Sequence, residues 1–145
     1  MKRKLTTALL GIALVCLLMA QGCKKKDDPI PETSRVRTLL KANAWKMQSV
    51  TVDGTDQATL YAGLTLTFTD TNYSTVKGGG VWPVSGGWTF TDDSAKTIKR
   101  SDGLEINILE ATATSLKLGL VWSQGTIGPG RVSSVSGNHQ FVFVK

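Results

Sequence analysis

The sequence predicts an all-β fold: an eight-stranded antiparallel up-and-down barrel with a short N-terminal helix. Three observations predict it. From Trp45 to the end of the chain, β-branched and aromatic residues alternate with polar ones. Turn signals rich in Gly, Asp, Asn and Ser recur at intervals of about ten residues. Most connections between successive strands are short, which favours neighbours in sequence becoming neighbours in the sheet. An eight-strand sheet in that order can close on itself and lose its edges, with an open sandwich as the alternative.

The elements follow in order. Ser34 to Asn43 is the helical segment, with Ser34 as its cap and Val36, Leu39 and Leu40 on one stripe. Trp45 to Val52 is the first strand, ending at Asp53-Gly54. Leu64, Leu66 and Phe68 alternate with Thr65, Thr67 and Thr69, which places three apolar side chains on one face and three threonines on the other. Asp70-Thr71-Asn72 turns this strand into Tyr73 to Lys77. Gly86 to Thr91 follows, with Trp88 and Phe90 on one face, and Asp92-Asp93-Ser94 leads into Ala95 to Arg100. Asp102-Gly103 precedes Leu104 to Glu110, where Leu104, Ile106 and Ile108 alternate with polar residues. Leu116, Leu118, Leu120 and Trp122 share a face of the next strand. A Gly-, Ser- and Pro-rich loop from Ser123 to Gly137 leads to the last strand, Asn138 to Lys145, with Phe141 and Phe143 pointing the same way.

At 145 residues the chain has room for one small domain. Lys2, Arg3 and Lys4 precede an apolar run from Leu5 to Ala20, shorter than a stable membrane span needs, so residues 1–22 read as an export signal. Its removal halves the formal charge of +6. The dense basic cluster Lys24 to Lys26 sits beside the processing point, and no basic face interleaved with aromatics suggests nucleic-acid binding. Both cysteines, Cys16 and Cys23, lie in the first 23 residues. The folded body therefore has no disulfide, no thiol nucleophile and no thiolate metal ligand.

Leu18-Met19-Ala20-Gln21-Gly22-Cys23 resembles the bacterial lipobox, which implies that Cys23 becomes the lipid-bearing first residue. Several acyl chains, palmitate among them, would make the attachment effectively permanent. Residues 23–33 are then a charged, proline-containing tether too poor in apolar residues to fold. Lys24 directly after the cysteine resembles sorting to the outer membrane, on its periplasmic face or at the cell surface.

Lipobox, tether, the helix Arg35-Val36-Arg37-Thr38-Leu39-Leu40 and Trp45 opening a meander together resemble the lipocalin-like lipoproteins of Gram-negative bacteria. Asn43-Ala44-Trp45 stands where lipocalins usually carry Gly-x-Trp. The resemblance implies a barrel over residues 34–145 that binds a small apolar molecule.

The residues allow little catalysis. His139 is the only histidine, placed by its position at the start of the last strand at the surface or rim. Asp92, Asp93, Asp102 and Glu105 lie in turn signals, where acidic residues serve the backbone. Neither Asp70-Thr71-Asn72 nor Asp92-Asp93-Ser94 supplies a calcium loop. The expectation is a binding protein, not an enzyme, with no cofactor and no metal. The candidate ligand-binding residues are Trp45, Leu66, Phe68, Trp82, Trp88, Phe90, Trp122 and Phe141, which any filled core would also use. Trp82 lies in the unusual segment Gly78-Gly79-Gly80-Val81-Trp82-Pro83-Val84-Ser85-Gly86-Gly87, where it reads either as a side chain tucked against the barrel or as a stacking surface, lid or glycan contact. An accessory subunit docking on an outer-membrane protein is the other reading of function.

Overall fold

The computed structural model describes residues 28–123 and 135–145. The expected export signal, Cys23, the first part of the expected tether and residues 124–134 of the Ser123 to Gly137 loop lie outside the described residues. Strands run β1 (Ala44–Val52), β2 (Thr55–Asp56), β3 (Thr65–Phe68), β4 (Asn72–Val76), β5 (Ser85–Phe90), β6 (Thr97–Arg100), β7 (Glu105–Ala111), β8 (Ser115–Trp122) and β9 (Gly137–Val144). Every neighbouring pair is antiparallel, and β1 pairs with both β3 and β9. The sheet is thus a closed eight-strand barrel, with the two-residue β2 folded back on the end of β1.

Alternation decides what faces inward. Leu66 and Phe68 of β3, Leu116, Leu118 and Leu120 of β8, and Phe141 and Phe143 of β9 are all buried in one core. Two bulges correct the phase elsewhere. In β1 the register slips between Met47 and Ser49, so Trp45 and Met47 point inward before the extra residue and Val50 and Val52 after it. A second slip between Ile108 and Glu110 leaves Leu109 as the extra residue, its side chain outside over Gly119 of β8, and brings Glu110 opposite Lys117 and Ala111 opposite the buried Leu116. Gly86 has a comparable role inside: a Cβ there would stand 2.7 Å from Tyr73 Oη and 2.8 Å from its ring, so the missing side chain is what lets Tyr73 lie flat against β5.

Helix α1 (Glu32–Lys41) caps one end of the barrel. It begins two residues before the expected Ser34, because Pro31 is extended (φ −53°, ψ 139°) and its carbonyl accepts from the amides of Ser34 and Arg35. Ser34 makes no side-chain cap; Glu32 in the first turn instead pairs with Arg35. Val36 and Leu40 are buried against the barrel, and the indole N–H of Trp45 donates to the Leu40 carbonyl at 2.8 Å. Arg37 lies over the rings of Trp88 and Phe90, 4.9 and 5.2 Å from their centroids, and donates to the Asp70 carbonyl. Lys41 pairs with the Asp70 carboxylate at 2.5 Å. No helix among the described residues is long and apolar enough to cross a membrane.

Candidate binding site

Six of the eight candidate ligand-binding residues, Trp45, Leu66, Phe68, Trp82, Trp88 and Phe141, are buried in the barrel core. Phe90 and Trp122 are half-buried against that core but sit at opposite ends, Phe90 beneath Arg37 and Trp122 at the far end from the helix. The eight therefore line no single open cavity. Packed rings occupy the space: Phe141 meets Tyr61 and Trp82 edge-on at 5.1 and 5.8 Å and stacks on His139 and Phe143 at 5.7 and 6.0 Å.

Trp82 is 1% exposed and presents no ring face to solvent, so the stacking surface considered for it is absent. Its ring touches Tyr73 of β4, Phe141 of β9 and the guanidinium of Arg100 of β6. Those strands stand on different sides of the barrel, which puts the indole in the lumen. The connection between β4 and β5 is tied down by its backbone. Thr75 Oγ1 donates to the Pro83 carbonyl at 2.8 Å, Arg100 donates to the Val81 carbonyl at 2.6 Å, and the Thr75 amide donates to the Val84 carbonyl at 2.8 Å.

Polar side chains gather in the core near this far end, which the sequence reading did not expect. His139, expected at the surface or rim, is fully buried. Period-two alternation is the cause: His139 shares the inward face of β9 with Phe141 and Phe143. Its Nδ1 faces the Gly137 carbonyl at 3.1 Å, which can only accept, so Nδ1 carries the proton. Nε2 then accepts from Tyr61 Oη at 3.0 Å. Tyr61 comes from a 3-10 turn (Ala58–Tyr61) in a stretch where no element was foreseen, and burial pushes its hydroxyl up to about 12. Arg100 follows the same alternation as Ile98 and points inward. Its guanidinium makes a paired contact with Asp102, whose carboxyl is held below its usual range chiefly by those hydrogen bonds.

Burial pulls the His139 imidazole below its ordinary 6.5, opposed by the Gly137 carbonyl and the Asp53 carboxylate. The unfolded chain takes up this proton first. Stability from this group is therefore complete above about pH 6.5 and declines as the pH falls through that value toward the lower folded pKa. Urea midpoints are expected to drop between pH 7.5 and pH 5, and His139→Gln should flatten that slope. An unchanged slope in the variant would show that other groups cause it.

Two adjoining hollows open on the outside at the far end. One, of about 430 Å³, is lined by Asp102, Gly103, Leu104, Val121, Trp122 and Ser123. The other, of about 420 Å³, shares Gly103, Leu104 and Val121 and adds Glu105 and Asn107. Val121 is 66% exposed, and Leu109, further along the outer face of the β7–β8 pair, is 51% exposed. The indole N–H of Trp122 has no partner among the described residues. Asp92 accepts from the amide of Ser94 at 2.8 Å and Asp102 from that of Leu104 at 3.3 Å, so both carboxylates brace turns. Among the described residues no group of three His, Asp or Glu side chains is placed to hold a metal ion. No protein-family model, curated protein or solved structure matches this chain.

Proposed function

We propose that this chain is a lipid-anchored, lipocalin-like lipoprotein of the outer membrane, a non-enzymatic module that binds a small, mostly apolar ligand at the far end of its barrel. The observation that carries the reading is the far-end hollow, where Leu104, Val121 and Trp122 supply apolar surface beside Asp102 and Ser123. At about 430 Å³ it falls within the size range of small-molecule sites. Native mass spectrometry on the full lipoprotein, released in detergent from its own host's membranes, tests it. A bound small-molecule mass that survives gel filtration and is lost in Trp122→Ala supports the reading. A clean apo mass from freshly extracted protein counts against it.

The anchor is proposed from the lipobox resemblance, and its expected effect is large. Cys23→Ser should abolish incorporation of labelled palmitate and move the protein from the membrane fraction to the soluble one. Retention of the variant in washed outer membranes would overturn the anchoring.

A second reading, an accessory subunit of an outer-membrane complex, is favoured by the exposed Val121 and Leu109 on the outside of the β7–β8 pair. Cross-linking in intact cells that captures one outer-membrane protein, and loses it in a Leu109→Asp, Val121→Asp variant, would select this reading.

A further inference from the structure

Three tryptophans face the core of the barrel, and their indole N–H groups are treated differently. Trp45 donates to the Leu40 carbonyl at 2.8 Å and Trp88 to the Asn72 carbonyl at 3.1 Å. The N–H of Trp82 is as deeply buried and has no partner among the described residues. Leaving such a donor unmet forfeits its hydration with nothing in return, and a permanent core position ordinarily resolves it. Trp82 also differs in what carries it. Trp45 and Trp88 stand on strands, whereas Trp82 stands on the connection between β4 and β5, residues 77–84, which carries Gly78-Gly79-Gly80. Gly79 adopts φ +65°, and Val84, next to the Trp-Pro pair, is 79% exposed. What the connection takes from the barrel is a set of donors: Arg100 Nη1 to the Val81 carbonyl and Thr75 Oγ1 to the Pro83 carbonyl.

We propose that Trp82 is a displaceable plug. The 78–84 segment holds its indole in the lumen of the ligand-free barrel, and a small apolar ligand bearing an anionic oxygen acceptor takes its place. The inference rests on the ligand-binding reading and deepens it, extending the site from the far-end hollow, whose wall includes Asp102, to the lumen where Arg100 pairs with that carboxylate. Withdrawal of the segment frees Nη1 of Arg100, whose Nε and Nη2 stay on Asp102, and Oγ1 of Thr75, and leaves Tyr73 and Phe141 as apolar walls. The ligand's rings or chain replace the indole, and its oxygens replace the carbonyls of Val81 and Pro83. The unpaired N–H reaches water when the plug leaves, so opening recovers part of its own cost.

The test is hydrogen exchange read by mass spectrometry on the full wild-type lipoprotein, with and without 1-anilinonaphthalene-8-sulfonate, an apolar probe with sulfonate oxygens. The expected result is one-to-one binding that speeds exchange of the 78–84 amides at least about tenfold while the β8 and β9 amides keep their protection. Trp82→Ala should then bind the probe about tenfold more tightly, because the internal competitor is gone. Probe binding that leaves 78–84 as protected as before would overturn the plug and leave the ligand reading standing. No binding by either protein, with 78–84 exchanging no faster than the strands, would overturn both.

Discussion

Phe141→Ala is expected to lower folding stability by about 3–5 kcal/mol, read as a fall in the urea midpoint at unchanged m-value. Phe141 is fully buried at the middle of β9, the strand that seals the barrel between β1 and β8. Four rings lean on it, Tyr61, Trp82, His139 and Phe143, and they come from three separate parts of the chain. Truncation leaves a hole that strands hydrogen-bonded on both sides cannot collapse to fill. Phe90→Ala makes the comparison: half-buried under Arg37 at the helix-capped end, it should cost clearly less. Equal losses at the two positions would show that the ring cluster around Phe141 adds nothing beyond area.

Asp102→Ala should cost about 3 kcal/mol, more than Arg100→Met at the other partner. The asymmetry follows from where the two charges sit. The Arg100 side chain is 1% exposed, while that of Asp102 keeps nearly half its surface in water. Removing the carboxylate strands a guanidinium among Tyr73, Trp82 and the Val81 carbonyl, with only that carbonyl left to bond it among the described residues. Removing the guanidinium frees Asp102 to rehydrate and leaves one carbonyl without its donor. Denaturation midpoints of the two variants check the order, and a larger loss in Arg100→Met would reverse the account.

Much of the barrel could be read in the sequence because its strands obey a period of two with clear turn signals between them. Leu64, Leu66 and Phe68, and Leu116, Leu118 and Leu120, are the plainest cases: each faces the core, while Val121 falls on the outward phase. The bulges at residues 47–49 and 108–110 could not be read, since one extra residue in a strand changes the phase without leaving a compositional mark. The stretch from Asp53 to Gly63 was also opaque: a two-residue strand and one 3-10 turn are too short to show periodicity, yet they deliver Tyr61 to the core. The polar cluster was missed for a different reason. His139 reads as a rim residue from its place at the start of the last strand, and no face is assigned to Arg100, although alternation with Phe141 and Ile98 places both inside. The candidate ligand-binding residues were legible as interior positions, but sequence alone does not distinguish a filled interior from an open one, and here the rings meet.

Closure through β1 and β9 also governs when this protein can fold. The strand that completes the barrel, β9, follows every other described strand in the chain and must pair with β1. Until it arrives, β1 and β8 each present an unpaired edge, the arrangement most open to strand addition by another chain. Synthesis therefore leaves the barrel open until β9 is made, whatever the earlier strands have already paired. A chain lacking residues 137–145 has no seal at all, so its solubility is set by whatever holds its open edges apart.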